Sequence, residues 1–128
     1  MPPQPSIQSF KQFREVVYGF RVSRVIFSAL DLDLFNTMGS RVWTIPQLSK
    51  HMHASSRGVE ILCRNLASTG LLVKSQAGYQ ASPFAKKYLQ KTSGEYRGDY
   101  LALIQRQWKE WSHLTEVITS GIPVDSQE

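Results

Sequence analysis

The sequence predicts a mainly α-helical fold: a winged helix-turn-helix whose wing is a two-stranded β-hairpin, with additional helices at both ends. Three observations support this prediction. Apolar residues recur at helical spacing over most of the chain. Two helical runs joined by a tight turn end near residue 69, and two short strand-like runs, 71–75 and 78–82, follow directly. Helix, turn, helix and hairpin in this order, from residue 44 to residue 82, form the pattern of a winged helix.

The size and composition indicate one globular domain in a reducing compartment. A chain of 128 residues suits a single domain, and 41% hydrophobic with 20% charged residues is an ordinary globular balance that excludes a disordered chain. No apolar run approaches the roughly 20 residues of a membrane span, so no transmembrane helix is expected. The single cysteine, Cys63, excludes an intrachain disulfide, and the Pro-rich start has no signal-peptide pattern. We therefore expect a cytoplasmic protein.

The N-terminal third predicts two helices and a turn. Residues 1–6 are rich in Pro and Gln and are expected to be disordered. A second helix, around residues 22–30, has apolar residues on more than one side, which is typical of a helix buried on several sides. An apolar turn that closes near Gly39 follows it. The apolar residues of the first helix fall at i, i+3, i+7 and i+10: Phe10, Phe13, Val17 and Phe20.

The middle of the chain carries the clearest local signals. Thr44 and Gln47 form the pattern of a capping box at the start of a short helix. Either Ser55 or Ser56 can cap the next helix, which is expected to end at Gly70. The hairpin comes next.

The C-terminal third predicts two more helices. Ser82-Pro83 is an N-cap followed by proline in the first turn, which starts a helix through Leu89. A last long helix is expected from about residue 97 to residue 119, and Gly121 ends it. Its apolar stripe contains Trp108 and Trp111.

The sequence contains no pattern for catalysis, cofactor binding or metal binding. None of the eight glycines stands in a G-x-G spacing, so no dinucleotide-type or phosphate-cradling loop is expected. His51 and His53 form a close pair, but a zinc site needs two further ligands at suitable spacing. Cys63 has apolar neighbours on its helix, which favours a buried inert thiol. Asp31 and Asp33 are expected to be solvated at a helix end. We predict no catalytic, cofactor-binding or metal-binding residues.

The charge leaves a DNA-binding alternative open. The net charge is +5, and residues 41–82 contribute five basic side chains against Glu60 alone. In a winged-helix DNA-binding regulator, the helix 56–69 would enter the major groove. The signal is weak, because Glu60 can pair with Arg64 and Ile61 is a poor base reader. A stand-alone interaction module is a further alternative. The expected DNA contacts of a regulator are Arg57, Arg64, Asn65 and Lys74.

A resemblance to a family rests on an ordered set of residues at matching spacings. The run 18–35 resembles the start of the small-molecule O-methyltransferases of the acetylserotonin (hydroxyindole) type, with Asp33 where that family usually has glycine. Nearly the whole chain, residues 8–123, is covered. The other matching positions are Ser56-Arg57, Leu62, Leu66, Gly70-Leu71-Leu72, Tyr79, Ser82, Ala85, Leu89, Trp108, Trp111, Leu114, Val117 and Gly121.

The resemblance implies an N-terminal dimerisation domain over residues 7–121, with residues 122–128 as a tail or the start of a linker. A catalytic domain that binds S-adenosylmethionine would follow and is missing from this chain. No methyl transfer is expected from the chain alone. The implied partners are a second copy, that catalytic domain and the parent's small-molecule acceptor, but neither a membrane nor nucleic acid. Trp108 and Trp111 are candidates for the wall of the acceptor pocket. The expected dimer interface consists of Phe10, Phe13, Val17, Phe20, Val22, Ile26 and Phe27.

Overall fold

The computed structural model describes residues 6–124, and the predicted mainly helical winged fold is confirmed. Residues 1–5 of the expected disordered start and residues 125–128 of the expected tail lie outside the described residues. The described chain contains eight helices and two strands. They are α1 (Phe10–Tyr18), α2 (Phe20–Asp31), α3 (Leu34–Met38), α4 (Ile45–Met52), α5 (Ser56–Ser68), β1 (Leu72–Ser75), β2 (Gly78–Ala81), α6 (Pro83–Tyr88), α7 (Gly98–Trp111) and α8 (Leu114–Ser120).

The first two helices follow each other almost without a break. Ser9 caps α1, because its hydroxyl accepts a hydrogen bond from the backbone N–H of Gln12 at 3.1 Å. Gly19 separates the helices while keeping helical backbone angles of −56° and −29°. No residue of α1 is buried, whereas α2 buries Phe27 and Ala29 in the protomer.

The segment expected to be a turn, residues 34–38, forms the short helix α3. Asp33 precedes it in the left-handed conformation, with φ of 55°. The buried amide of Gln90 donates to the carbonyl oxygens of Phe35 and Gly39, at 2.9 and 2.8 Å. Gln90 therefore bonds to one carbonyl within α3 and to the carbonyl of its C-cap residue, although it lies more than 50 residues later in the chain. The prediction of a turn was wrong because this partner is not local.

The winged-helix segment follows its local signals. The capping box of α4 is present: the hydroxyl of Thr44 accepts from the backbone N–H of Gln47 at 3.3 Å, and the side-chain oxygen of Gln47 accepts from the backbone N–H of Thr44 at 3.0 Å. The strands pair antiparallel, with Leu72 opposite Ala81. Trp43 adds a third short edge to this sheet by exchanging two backbone hydrogen bonds with Tyr79, at 2.7 and 2.8 Å.

One hydrophobic core lies between α2, α3, α4, α5, the hairpin and α6. Leu34, Leu48, Leu66 and Cys63 are completely buried in it, and Phe35 and Met38 nearly so. By contrast, α7 and α8 contain no buried residue. The terminal helices therefore contribute apolar surface that this core does not cover.

The last long helix, expected to continue to residue 119, is interrupted after Trp111. The hydroxyl of Ser112 donates to the carbonyl of Lys109 at 2.5 Å, and the N–H of His113 donates to the carbonyl of Glu110 at 3.0 Å. Such local bonds compete with the i to i−4 bonds of a helix. The apolar period runs through this point without a glycine or proline, so periodicity alone did not reveal the break.

Candidate dimerisation surface

The helices α1 and α2 expose several large apolar side chains to solvent, and these are here named the α1–α2 face. Phe10 is the most exposed member at 75%, and the least exposed, Phe13, still shows 47% of its surface. The rings of these two residues lie 5.8 Å apart between centroids. Large contiguous apolar patches on a soluble domain mark interaction sites. The face consists of Phe10, Phe13, Val16, Val17, Phe20 and Val22.

Two of the residues expected at the interface also pack within the protomer. Phe27 is only 5% exposed, and its ring stands edge-on to Trp108 with centroids 5.7 Å apart. Ile26 is half-buried and packs against the core. A partner could therefore reach little of Phe27, because α2 turns this residue toward α7.

The two tryptophans of α7 line one groove. Trp108 is half-buried against Phe27, whereas Trp111 is 66% exposed. The groove has a volume of about 390 Å³ and is completed by Ile104, Gln107 and Ser112. Among residues 6–124, the side chains that line it are uncharged, which suits an apolar, aromatic surface or ligand.

A second exposed apolar surface runs along α7 and α8, here named the α7–α8 stripe. The sequence pattern had grouped Trp108 with Trp111, but Trp108 is half-buried in the structure, as are Leu101 and Ile104 on the same helix. The exposed residues recur at spacings of three, eight, three and four, across the break between α7 and α8. The stripe consists of Tyr100, Leu103, Trp111, Leu114 and Ile118, exposed by 42–73%.

The side chains that would contact DNA are mostly occupied by local partners. Arg64 forms an ion pair with Glu60 at 3.1 Å, as the sequence predicted. The amide of Asn65 donates to the carbonyl oxygen of Ile61 on its own helix at 2.8 Å. Lys74 lies 5.7 Å above the ring of Tyr79. Arg57, the fourth candidate, is exposed.

The residues capable of acid–base or metal chemistry have structural roles. Burial raises the pKa of the Cys63 thiol to about 11, so it is protonated and inert at neutral pH. Asp31 accepts a hydrogen bond from Gln105, and Asp33 accepts one from Asn36. Within residues 6–124, no three or more His, Cys, Asp or Glu side chains come together as a metal site.

The sheet of the described residues differs from the sheets that hold dinucleotide-type cofactors. Dinucleotide-type cofactor sites require a parallel β-strand and helix joined by a glycine-rich turn. Over residues 6–124 the sheet contains only the antiparallel pair β1–β2 and the bridge at Trp43.

Among the helices of residues 6–124, none has both the length and the hydropathy that a membrane span needs.

Known proteins resemble the chain in both sequence and fold. It is 26% identical over 123 residues to the tetracenomycin polyketide synthesis 8-O-methyl transferase TcmO of Streptomyces glaucescens, covering 94% of this chain and 36% of that protein. It is 27% identical over 121 residues to the acetylserotonin O-methyltransferase of Bos taurus, covering 89% of this chain and 35% of that protein. The chain thus spans about a third of the length of these relatives.

Solved structures share the fold. An O-methyltransferase family protein from Burkholderia thailandensis superimposes with a TM-score of 0.82 at 23% identity, over 88% of this chain and 34% of that one. Human N-acetylserotonin methyltransferase, solved in complex with SAM, gives 0.78 at 23% identity, over 94% and 37%. The family model of the O-methyltransferase dimerisation domain matches residues 14–91. The chain therefore belongs to the O-methyltransferase dimerisation domains, the family that its sequence resembles.

Proposed function

We propose that this chain forms a homodimer and is the dimerising part of an O-methyltransferase. The observation that carries this proposal is the α1–α2 face. Its six large apolar side chains are 47–75% exposed beside a core that is already complete without them. A helix with such a face is stable in water when a partner covers it.

The energetics favour a second copy as the covering partner. Burying one large apolar side chain contributes roughly 1.5–3 kcal/mol. A twofold dimer uses the same residues on both protomers, so the gain is doubled and the assembly closes. Such a gain is large enough to offset the entropy lost when two chains associate.

The groove of Trp108 and Trp111 has a different role in this proposal. It forms part of the wall of the acceptor pocket in the complete enzyme, where aromatic rings would pack on an apolar, planar acceptor. The uncharged lining of the groove supports this assignment. The relatives' names, which include a polyketide and an acetylserotonin methyltransferase, suggest acceptors of that kind.

The parent protein would hold S-adenosylmethionine outside the described residues. The human relative was solved with SAM bound, and this chain covers only 37% of it. The chain alone is then a scaffold that transfers no methyl group. Calorimetry in which the isolated chain binds S-adenosylmethionine at low micromolar concentration would contradict this assignment.

The dimer is tested by light scattering and sedimentation at tens of micromolar. The wild-type chain should have twice the mass of one protomer, and Phe10→Asp should shift it toward the monomer. Phe84→Asp is the matched control, because Phe84 is 56% exposed but lies on α6 and does not belong to the α1–α2 face. A wild-type chain that remains monomeric would refute the proposal.

A further inference from the structure

The short helix α6 carries an exposed aromatic side chain in the central region of the chain. Phe84 is 56% exposed, which exceeds every other large apolar side chain between residues 34 and 97. The other side of α6 is fixed, because Ala85 is completely buried and Leu89, which follows the helix, is only 6% exposed. The hydroxyl of Ser82 also caps α6 by accepting from the backbone N–H of Ala85 at 3.2 Å. Phe84 therefore faces solvent from a firmly anchored helix.

A second ring of α6 is surrounded by cations. The ring of Tyr88 lies 4.9 Å from that of Phe84 between centroids. The ammonium of Lys87 lies 5.2 Å and the guanidinium of Arg97 lies 5.7 Å from the centroid of the Tyr88 ring. The loop after α6 returns to the helix, since the backbone N–H of Arg97 donates to the carbonyl of Tyr88 at 2.8 Å. These contacts join Phe84, Lys87, Tyr88 and Arg97 into one cluster, here named the α6 patch.

The α6 patch belongs to the most basic part of the chain. From residue 34 to residue 94 the sequence has eight Lys and Arg side chains and a single carboxylate, Glu60, which is paired with Arg64. Lys86 is a further basic residue of α6 itself. Within residues 6–124, no carboxylate lies at ion-pair distance from Arg97. Charge complementarity therefore calls for an acidic partner.

One carboxylate of the chain already reaches the α6 patch. Glu95, in the loop after α6, lies 3.3 Å from the ammonium of Lys87, and both side chains stay about half exposed. An exposed ion pair of this kind contributes little to stability. Glu95 thus shows how a carboxylate sits at this surface, and it would compete with a carboxylate from another chain.

We propose that the α6 patch binds an acidic segment of another protein, in which an aromatic or large aliphatic side chain lies between carboxylates. The apolar side chain packs on Phe84, and the carboxylates pair with Arg97 and Lys87. An apolar centre inside a charged rim is the common arrangement of a protein–protein interface, and arginine is enriched at its energetic centre. The α6 patch shares no residue with the α1–α2 face, so this proposal does not depend on the homodimer.

The geometry of the rings favours a protein over a single-stranded nucleic acid. Nucleic acids of this kind bind where successive bases stack on open aromatic faces along a positive groove. The planes of Phe84 and Tyr88 are inclined by 53°, so they do not form a parallel platform. Lys87 and Arg97 lie over the ring of Tyr88, where a base would have to stack.

Fluorescence anisotropy with labelled synthetic peptides tests the proposal on the full chain. The probe is a short glutamate-rich peptide with one central Phe, and its comparisons have a central Gly or have Lys in place of Glu. At about 0.15 M salt, where exposed charges are screened, the wild type should bind the probe at least about 10-fold more tightly than either comparison. Phe84→Ser should abolish the preference for the central Phe. Arg97→Gln should weaken binding of the probe about 10-fold.

A gain of affinity distinguishes binding at the α6 patch from a merely structural role. Glu95→Gln removes the competing carboxylate and should tighten binding of the probe roughly two- to five-fold, whereas Lys87→Gln should weaken it. Lys74→Gln is the matched control, because this ammonium also lies over a tyrosine ring, 5.7 Å from that of Tyr79. Ile61→Ser, at an apolar residue of α5 that is 48% exposed, is the second control. Both controls should change the affinity by less than about two-fold, and circular dichroism verifies the folding of every variant.

The other outcomes overturn the proposal. Equal weakening by Lys87→Gln and Lys74→Gln would show attraction to the overall charge instead of binding at a site. A wild type that binds the probe no more tightly than about 1 mM would also refute it. A labelled single-stranded oligonucleotide that binds more tightly than the probe, and loses affinity in Phe84→Ser, would assign the patch to nucleic acid. A lower mass of Phe84→Ser than of wild type in sedimentation would show that a second copy covers the patch.

Discussion

The central region and the terminal helices show how similar amphipathic patterns lead to different outcomes. In the centre, α3, α4 and α5 turn their apolar residues into one core, where Leu34, Leu48 and Leu66 have no exposed surface. At the ends, α1, α7 and α8 have the same kind of apolar period but bury no residue. Periodicity therefore shows that a helix has an apolar face, and only the tertiary structure shows whether the same chain covers it. Four substitutions break or sharpen this comparison.

The largest effect is expected from a cavity in the central core. Leu48→Ala removes a completely buried side chain and should lower the free energy of unfolding by about 2–5 kcal/mol. Leu103→Ala, the same change on the exposed stripe, should alter the unfolding of the monomer by less than about 0.5 kcal/mol. Urea denaturation of dilute protein measures both. If the two variants lost the same free energy of unfolding, α7 would belong to the same folding unit as the core.

The next effect is expected at the edge of the sheet. Gly78 has φ of 138°, and a Cβ there would collide with the carbonyl of Trp43. Gly78→Ala should therefore cost about 2–3 kcal/mol, from backbone strain together with displacement of the neighbouring strand. Thermal unfolding followed by near-ultraviolet circular dichroism measures the loss. Gly94→Ala, at a glycine with open space around its Cβ, is the control.

A smaller effect is expected at the polar link between α3 and the end of α6. Gln90→Leu leaves the carbonyls of Phe35 and Gly39 without its amide donor and should cost about 1–2 kcal/mol. Gln90→Glu keeps the shape but cannot donate when ionised. At pH 7, Gln90→Glu should lower the free energy of unfolding at least as much as Gln90→Leu does. This loss of stability should become smaller at low pH, where the carboxyl is protonated and can donate. If the loss of stability in Gln90→Glu did not change with pH, the explanation by hydrogen bonding would be contradicted.

The smallest expected effect is an increase in stability, at Asp33. Asp33 occupies the left-handed region, which costs a non-glycine residue roughly 1–2 kcal/mol. Asp33→Gly removes this strain but also the 2.8 Å hydrogen bond from Asn36, so we expect a net stabilisation of up to about 1 kcal/mol. Asp33→Asn, which can keep an acceptor for that bond, should change stability less. A loss of stability in Asp33→Gly would show that the side-chain bond outweighs the strain.

Local signals account for what the sequence predicted correctly. The capping box at Thr44, the N-cap at Ser82 and the hairpin each depend on residues within a few positions, and all are present. The errors lie where distant partners or competing bonds decide. Gln90 shapes α3 from far along the chain, and the hydroxyl of Ser112 competes at the break before α8. The place of Phe27 in the dimer interface stays a prediction, and no sequence pattern shows that Trp108 packs on it within the protomer.

The three tryptophans occupy three different environments, which gives the chain separate optical reporters. Trp43 is 7% exposed, with the guanidinium of Arg41 4.0 Å from its ring centroid and the ring of His51 edge-on at 5.6 Å. Its emission should move to longer wavelength only when the protomer unfolds. Trp111, 66% exposed, should respond when a surface covers α7. In a Trp108→Phe background, one dilution series followed by one denaturant series would therefore resolve association from unfolding without any added label.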